Sequence, residues 1–210
     1  MIIAIDGTTS SGKGTLAKRL AAHYSLPHLD TGLLYRAVGK AAMDAGVDLA
    51  DEAGCAALAA SIDLSDYNER ELRTAGVGAA ASIVAVLGDV RRALFDLQRA
   101  FAHQPGGAVL DGRDIGTVIA PDADVKLFVT ASLEQRTRRR HGELLARGET
   151  ISFDELQAQI AERDERDTSR KDSPLYQAAD AHLLDTTDLT IEGAAQAAYA
   201  IVDAAITRKG

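Results

Sequence analysis

Gly7-Thr8-Thr9-Ser10-Ser11-Gly12-Lys13-Gly14-Thr15 follows directly on the apolar run Ile2-Ile3-Ala4-Ile5. The pattern Gly-x-x-x-x-Gly-Lys is that of a phosphate-binding loop. Its glycines let the backbone curl tightly and aim successive N–H groups at anionic oxygens. Beyond the loop, Thr15-Leu16-Ala17-Lys18-Arg19-Leu20-Ala21-Ala22 carries apolar residues at helical spacing, which puts a bound phosphate on a helix N-terminus. The strand before and the helix after are what an ordinary Gly/Ser turn would lack. The position after the lysine, usually Ser or Thr, is Gly14, so the hydroxyl role toward magnesium falls to Thr15. Ser10 and Ser11 have no base nearby in sequence and are not read as nucleophiles.

Outward from the loop, strand-like runs recur at Ile2–Asp6, His28–Asp30, Ala108–Asp111, Val125–Thr130 and His182–Asp185, with helical patterns between them. Alternation of this kind predicts an α/β fold with parallel strands and right-handed crossovers. Val125-Lys126-Leu127-Phe128-Val129 has the continuous apolar character of a strand covered on both faces. Ser132-Leu133-Glu134-Gln135 and Ser152-Phe153-Asp154-Glu155 fit capping boxes and predict helix starts. Ala75–Gly88 reads as a buried helix. The last helix places Ile191, Ala194, Ala195, Ala198, Ile201, Val202, Ala205 and Ile206 on one stripe against the sheet. Two stretches break the rhythm: Gly46 to about Ser82, and the charge-dense Glu149 to Ser173. In a phosphoryl-transfer enzyme these are the natural places for a substrate-binding insert and a lid.

The chain has 210 residues, enough for one domain with a substantial core. Aromatics are only 4% and Trp is absent, so that core is aliphatic and alanine-rich. The net charge of −8 speaks against nucleic-acid binding through a broad basic surface, while a nucleotide needs only a local positive cluster. A lone Cys55 in an Ala-rich stretch excludes an internal disulfide, suits packing and points to a reducing compartment, the cytoplasm. No signal peptide is read before the first strand and no apolar run has membrane-spanning length, so no membrane partner is expected.

Three further constellations carry chemistry. Asp30-Thr31-Gly32-Leu33-Leu34-Tyr35-Arg36 follows the second strand, with Arg36 about one turn into a helix, where a guanidinium can clamp phosphate. Asp111-Gly112-Arg113-Asp114-Ile115-Gly116 follows the third strand and puts Asp111 where a Walker-B-like acid faces magnesium or its water shell. Arg163, Arg166 and Arg170 are spaced i, i+3, i+7, so that one helix face carries all three, with Asp164 and Asp167 beside them. Taken singly, the first could be a helix cap with a solvated arginine, the second a tight turn with an internal ion pair, and the third a solvated face. Arg136, Arg138, Arg139 and Arg140 form a denser run that leaves open which members face phosphate. The histidines, His23, His28, His103, His141 and His182, lack metal-ligand spacing and are expected at the surface or rim.

The phosphate loop, Asp-Thr-Gly-x-x-Tyr-Arg, Asp-Gly-Arg-Asp-Ile-Gly-Thr and Glu-Arg-Asp-Glu-Arg-Asp-x-x-Arg occur here in that order. Together they resemble bacterial cytidylate kinases from the first residues to the C-terminal helix, and Gly-Lys-Gly-Thr resembles the loop of nucleoside monophosphate kinases rather than of GTPases. The resemblance implies a three-layer P-loop kinase fold: a five-stranded parallel sheet, a short helical nucleoside-monophosphate insert at about 36–100 and an arginine-rich lid at about 148–174, all in one domain spanning 1–210. It implies ATP-dependent phosphorylation of CMP and dCMP, with Mg2+ accompanying ATP; a monomer is the expected state, though the sequence does not give the oligomeric state. Gly7 through Thr15 would bind ATP, and Lys13 would contact the transferring phosphate. Arg36, Arg113 and Arg163 would be catalytic grips on phosphate or the adjacent sugar. Thr31 would join the acceptor site, Ser82, Arg91, Asp114 and Arg170 would read cytosine, and Asp167 would meet the sugar hydroxyl. Thr15 and Asp111, directly or through water, would serve the metal. One departure stands out: only Ser65-Asp66-Tyr67-Asn68-Glu69-Arg70 separates Ser61-Ile62-Asp63-Leu64 from Glu71-Leu72-Arg73-Thr74, where the family usually has a longer segment with a small β-sheet. The rival readings are a kinase for UMP, AMP or shikimate, and a P-loop regulatory NTPase.

Overall fold

The computed structural model describes residues 1–209. In chain order its elements are β1 (Ile2–Gly7), α1 (Lys13–Tyr24), β2 (His28–Asp30), α2 (Thr31–Ala45), α3 (Glu52–Ala59), a 3-10 turn Leu64–Asp66, α4 (Glu69–Leu72), α5 (Ala75–Val84), α6 (Gly88–Ala102), β3 (Ala108–Gly112), a π-helical turn Ile115–Ile119, β4 (Val125–Thr130), α7 (Leu133–Ala146), α8 (Phe153–Ser169), β5 (His182–Asp185) and α9 (Ile191–Lys209). The five strands form one all-parallel sheet in the order β2-β3-β1-β4-β5. The chain leaves β1 toward β2 on one side and returns through β3 to β4 on the other. That reversal opens a crevice at the carboxyl ends of the central strands.

Successive side chains of a strand point to opposite faces, and here both faces are covered. Ile3 and Ile5, with Val109, Leu127 and Val129, pack under Leu16 and Leu20 of α1 and Ala195, Ala198 and Val202 of α9. Ala4, Leu29, Ala108 and Leu110 pack against Leu34 and Val38 of α2, Cys55 of α3, Val84 of α5 and Leu94 of α6. Buried Cys55 is thus a core residue, as its setting predicts. α2 and α5 approach closely at Gly39, where a Cβ would lie 3.0 Å from that of Ala80. The insert holds no strand among the described residues; Leu64 and Tyr67 pack instead on Ala37, Leu72 and Val77. α7 and α8 form a hairpin around Leu144, Leu156 and Ile160. No helix among the described residues is long and apolar enough to cross a membrane.

All five expected strands are present, and Ser132 and Ser152 cap α7 and α8, accepting from the N–H groups of Gln135 (3.3 Å) and Glu155 (3.2 Å). The return half of the first box is taken over from outside, because the Ser132 N–H donates to Thr187 Oγ1 at 2.9 Å. Two expectations need correction. The helix at Ala75–Gly88 ends at Val84, and Ile83 is exposed, because the chain turns there to start α6 at Gly88. On α9, Ala194, Ala195, Ala198 and Val202 are buried but Ile191 and Ile206 are exposed. Its 19 residues make a rod of about 28 Å at about 1.5 Å per residue. The four-residue β5 beside it spans only about 13 Å, so the helix ends overhang the sheet.

Candidate active site

The loop after β1 owes its shape to backbone that only glycine accepts freely. Gly7 (φ +151°) lies against β4, where a Cβ would sit 1.9 Å from the Val129 carbonyl oxygen, and Gly12 (φ +92°) turns the chain into α1. Lys13 opens α1, is buried, and donates from Nζ to the Thr8 carbonyl at 3.1 Å. Burial, reinforced by the Arg113 guanidinium, pushes the Lys13 ammonium down to about 7. A nearby anion would restore its charge. The hydroxyls of Thr8 and Ser11 are buried without a hydrogen-bond partner among the described residues.

The α7 arginines divide by role. Arg136 Nη1 donates to the Thr9 carbonyl (3.3 Å) and pairs with Asp164 (2.6 Å). Arg139 donates to the Ser11 carbonyl (3.2 Å) and to both Thr186 oxygens (2.9 and 2.6 Å). These two brace the loop from its carbonyl side. Arg138 pairs with Glu134 in solvent, while Arg140 lines the cleft beside Glu143. The spacing of a dense arginine run cannot separate these roles, because they depend on which residues the loop brings near.

At the other strand ends, Thr31 Oγ1 donates to the Asp111 carbonyl (2.9 Å), and Asp30 pairs with Arg73 (2.9 Å). Asp111 is buried, which raises its carboxyl, while a 2.7 Å hydrogen bond to His28 Nε2 opposes the rise. Its Oδ2 faces the loop, 3.7 Å from where a Cβ on Gly14 would stand. His28 is therefore no rim residue: it ends up beside the strand-end acid, because β2 pairs with β3 in the register His28↔Val109.

The rest of the cleft is a box of side chains. Asp114 is gripped by Arg91 Nη2 on one oxygen (2.5 Å) and faced by Arg170 Nη2 on the other (3.6 Å). Arg91 lies over the Tyr35 ring, 5.6 Å from its centroid, and Arg166 Nε donates to Ser82 Oγ (3.2 Å). Arg113 spans the cleft floor, donating to Asp167 (2.6 Å) and to Thr9 Oγ1 (2.8 Å). Burial opposes the Asp167 charge, but Arg113 and Arg163 hold its carboxyl below the usual range. Arg36 donates to the Leu72 carbonyl (2.7 Å), and Arg163 Nε is buried with no hydrogen-bond partner among the described residues. Burial, together with Arg163 and Arg140, pushes Arg36 down to about 9; burial and Arg113 bring Arg163 to about 10. Crowded guanidiniums in a low-dielectric cleft call for a polyanion. Arg163 and Arg166 lie on α8, but Arg170 is the residue after it, with extended backbone (ψ 144°) and Nε on the Ser173 carbonyl (2.7 Å). The three arginines thus reach the cleft from two kinds of backbone rather than one helix face. At the mouth, Arg147 Nη1 donates to the Arg73 carbonyl (2.6 Å), joining the hairpin to the insert.

All the expected site residues from Thr9 to Thr15, with Thr31, Arg36, Ser82, Arg91, Asp111, Arg113, Asp114, Arg163, Asp167 and Arg170, line one cleft of about 1410 Å³. That exceeds the roughly 300–1,000 Å³ of a single-ligand pocket.

A phosphate loop at the switch point of a five-stranded parallel sheet, continuous with an arginine-lined compartment, defines a P-loop kinase. Residues 3–204 match the cytidylate kinase family, and the chain belongs to that family. Among its relatives, cytidylate kinases of Xanthobacter autotrophicus (59% identity, 97% of this chain and 98% of that one), Brucella suis (56%, 99% and 94%) and Methylocella silvestris (56%, 98% and 95%) are similar over nearly their whole length. Solved structures share the fold at low identity: an uncharacterized protein from Eubacterium ventriosum (TM-score 0.57, 16% identity, 97% of this chain and 98% of that one) and a sugar kinase from Janibacter sp. (0.50, 15%, 96% and 93%).

Proposed function

We propose that the chain transfers the γ-phosphoryl group of ATP to CMP and dCMP, giving ADP and the diphosphates, with the residue roles that follow. The single observation that carries the base assignment is Asp114, a buried carboxylate held between Arg91 and Arg170 in the cleft that Ser82 also lines. Cytosine offers an amino donor at N4 and acceptors at N3 and O2. A carboxylate takes the amino hydrogens and arginines donate to the acceptors. Uracil reverses the pattern at O4 and N3, so the same box would leave buried groups unpaired, which supports strong discrimination.

ATP phosphates lie along Gly7–Thr15. The acceptor phosphate, already anionic at neutral pH, is turned toward the γ-phosphorus by Arg36 and Arg163, and no strong general base is needed. Lys13 and Arg113 offset charge on the transferring group, and the hairpin over the cleft excludes water. Thr15 and Asp111 are hard oxygen donors that fit Mg2+ better than a softer ion. No group of three His, Cys, Asp or Glu among the described residues could hold a metal, so nucleotide oxygens and water would complete its shell. When bound, the ion neutralises phosphate charge. The reading takes the protein to act as a monomer, and its single buried thiol suits the cytoplasm.

A coupled ADP-release assay against CMP, dCMP, UMP, AMP and shikimate tests the reading. The expected result is kcat/KM for CMP and dCMP at least about tenfold above the others. Equal turnover of UMP or AMP, or ATP hydrolysis indifferent to any acceptor, would overturn it.

A further inference from the structure

Asp6 is an acid in the middle of the sheet. It follows Ile3, Ala4 and Ile5, all fully buried, and is itself only 5% exposed. β1 lies between β3 and β4, with Asp6 opposite Gly112 on one side and Phe128 on the other. Nothing in a buried parallel strand requires a carboxylate, and burying one is costly unless it is well hydrogen-bonded. Its two oxygens are spoken for. Oδ1 accepts from the Ile115 N–H and Oδ2 from the Gly116 N–H, both at 2.8 Å. These are the first residues of the π-helical turn, directly after Arg113 and Asp114. Two bonds from one planar group fix both the height and the tilt of that backbone. The fit is close: a Cβ on Gly116 would lie 3.3 Å from Asp6 Oδ2 and 3.1 Å from Lys126 Cδ.

The next residue in the chain is Gly7, where the phosphate loop begins. Asp6 therefore ties the loop's strand to the turn that carries Asp114 and Arg113. We propose that Asp6 is a positioning residue for the acceptor base: by clamping the Ile115 and Gly116 amides it sets where Asp114 stands relative to the phosphate loop, and selectivity for cytosine depends on it although it lines no part of the cleft. The inference rests on the reading of Asp114 as a base-reading acid.

Asp6→Asn keeps the shape but turns an amide donor toward one of the two N–H groups. The ratio of kcat/KM for CMP over UMP should fall at least about fivefold, the cost of misplacing one discriminating hydrogen bond. The fall should come through KM for CMP, with KM for ATP within about twofold. Asp114→Asn is measured alongside, as is the double variant, whose ratio should be no lower than that of Asp114→Asn because both act through one contact. If Asp114→Asn lowers the ratio while Asp6→Asn only reduces kcat equally for both nucleotides, Asp6 is structural and the inference fails while the base assignment stands. If Asp114→Asn leaves the ratio unchanged, the base assignment fails and the inference with it. Should Asp6→Asn not fold, Gly116→Ala presses on the same carboxylate from the other side, and an unchanged CMP/UMP ratio in that variant overturns the proposal.

Discussion

The two ends of the cleft are built on opposite principles. The phosphate loop is one contiguous stretch whose working groups are backbone amides, shaped by Gly7 and Gly12 and braced from behind by Arg136, Arg139 and Thr186. The compartment proposed for the base gathers side chains from α5, α6, the turn after β3, α8 and the residue following it, from Ser82 to Arg170. Backbone recognition asks for a conformation, and side-chain recognition asks for a fold. The first should therefore fail abruptly when a single charge or glycine is changed. The second should fail gradually, through loss of selectivity before loss of rate.

The largest expected effect is at the loop. Lys13→Ala should lower kcat by about a thousandfold or more, with KM for CMP changed less than about twofold, because a transition-state contact is lost. Near-parental kcat with normal ATP dependence would take Lys13 out of the mechanism and erase the contrast.

Next comes the residue between the two ends. Burial lifts the Asp6 carboxyl to about 6, against the pull of the two amides. Its folded value exceeds the unfolded one near 3.8, so the folded protein holds the extra proton between about pH 4 and 6. As pH falls through that window, the parent should gain on Asp6→Asn by on the order of 2 kcal/mol in urea unfolding. A difference that stays flat from pH 7 to 4 would mean Asp6 is not so placed.

In the base compartment, Asp114→Asn should lower the CMP/UMP ratio of kcat/KM at least about tenfold while leaving kcat for CMP within the same order. A collapse of kcat with the ratio intact would show this end behaving like the loop. The smallest effect concerns the sugar. Asp167→Ala should cost CMP about 1 kcal/mol more than dCMP, since only ribose presents the 2′-hydroxyl. Asp167 also pairs with Arg113 at 2.6 Å, so equal losses for the two nucleotides would assign it to holding Arg113 instead.

What could be read from the chain follows the same division. The loop, the five strands and the helix starts at Ser132 and Ser152 are local patterns of turn, alternation and cap, and each lies where the residues alone put it. Side-chain partners were less legible because strand register and tertiary approach decide them. Asp6 looks like the end of a hydrophobic strand until the turn at Ile115 folds over it. His28 looks like a rim histidine until β2 pairs with β3 and brings it to Asp111. Arg139 differs from Arg138 only by one step of helix phase, yet one touches Ser11 and the other solvent. The buried carboxylate in an otherwise apolar strand was the signal that could have found Asp6.

The small cluster of Leu144, Leu156 and Ile160 between α7 and α8 shares no member with either large core of the sheet. A covering segment that melted each time the cleft opened would have to be refrozen at every turnover, costing about 1–2 kcal/mol per residue in backbone freedom. If the hairpin closes on substrate as the proposed function requires, its own apolar seam would keep its shape in both positions and confine that cost to the few residues at its ends. Nucleotide charge would then have only to move a finished part, and the affinity of the cleft for its substrates would not be spent on folding the cover.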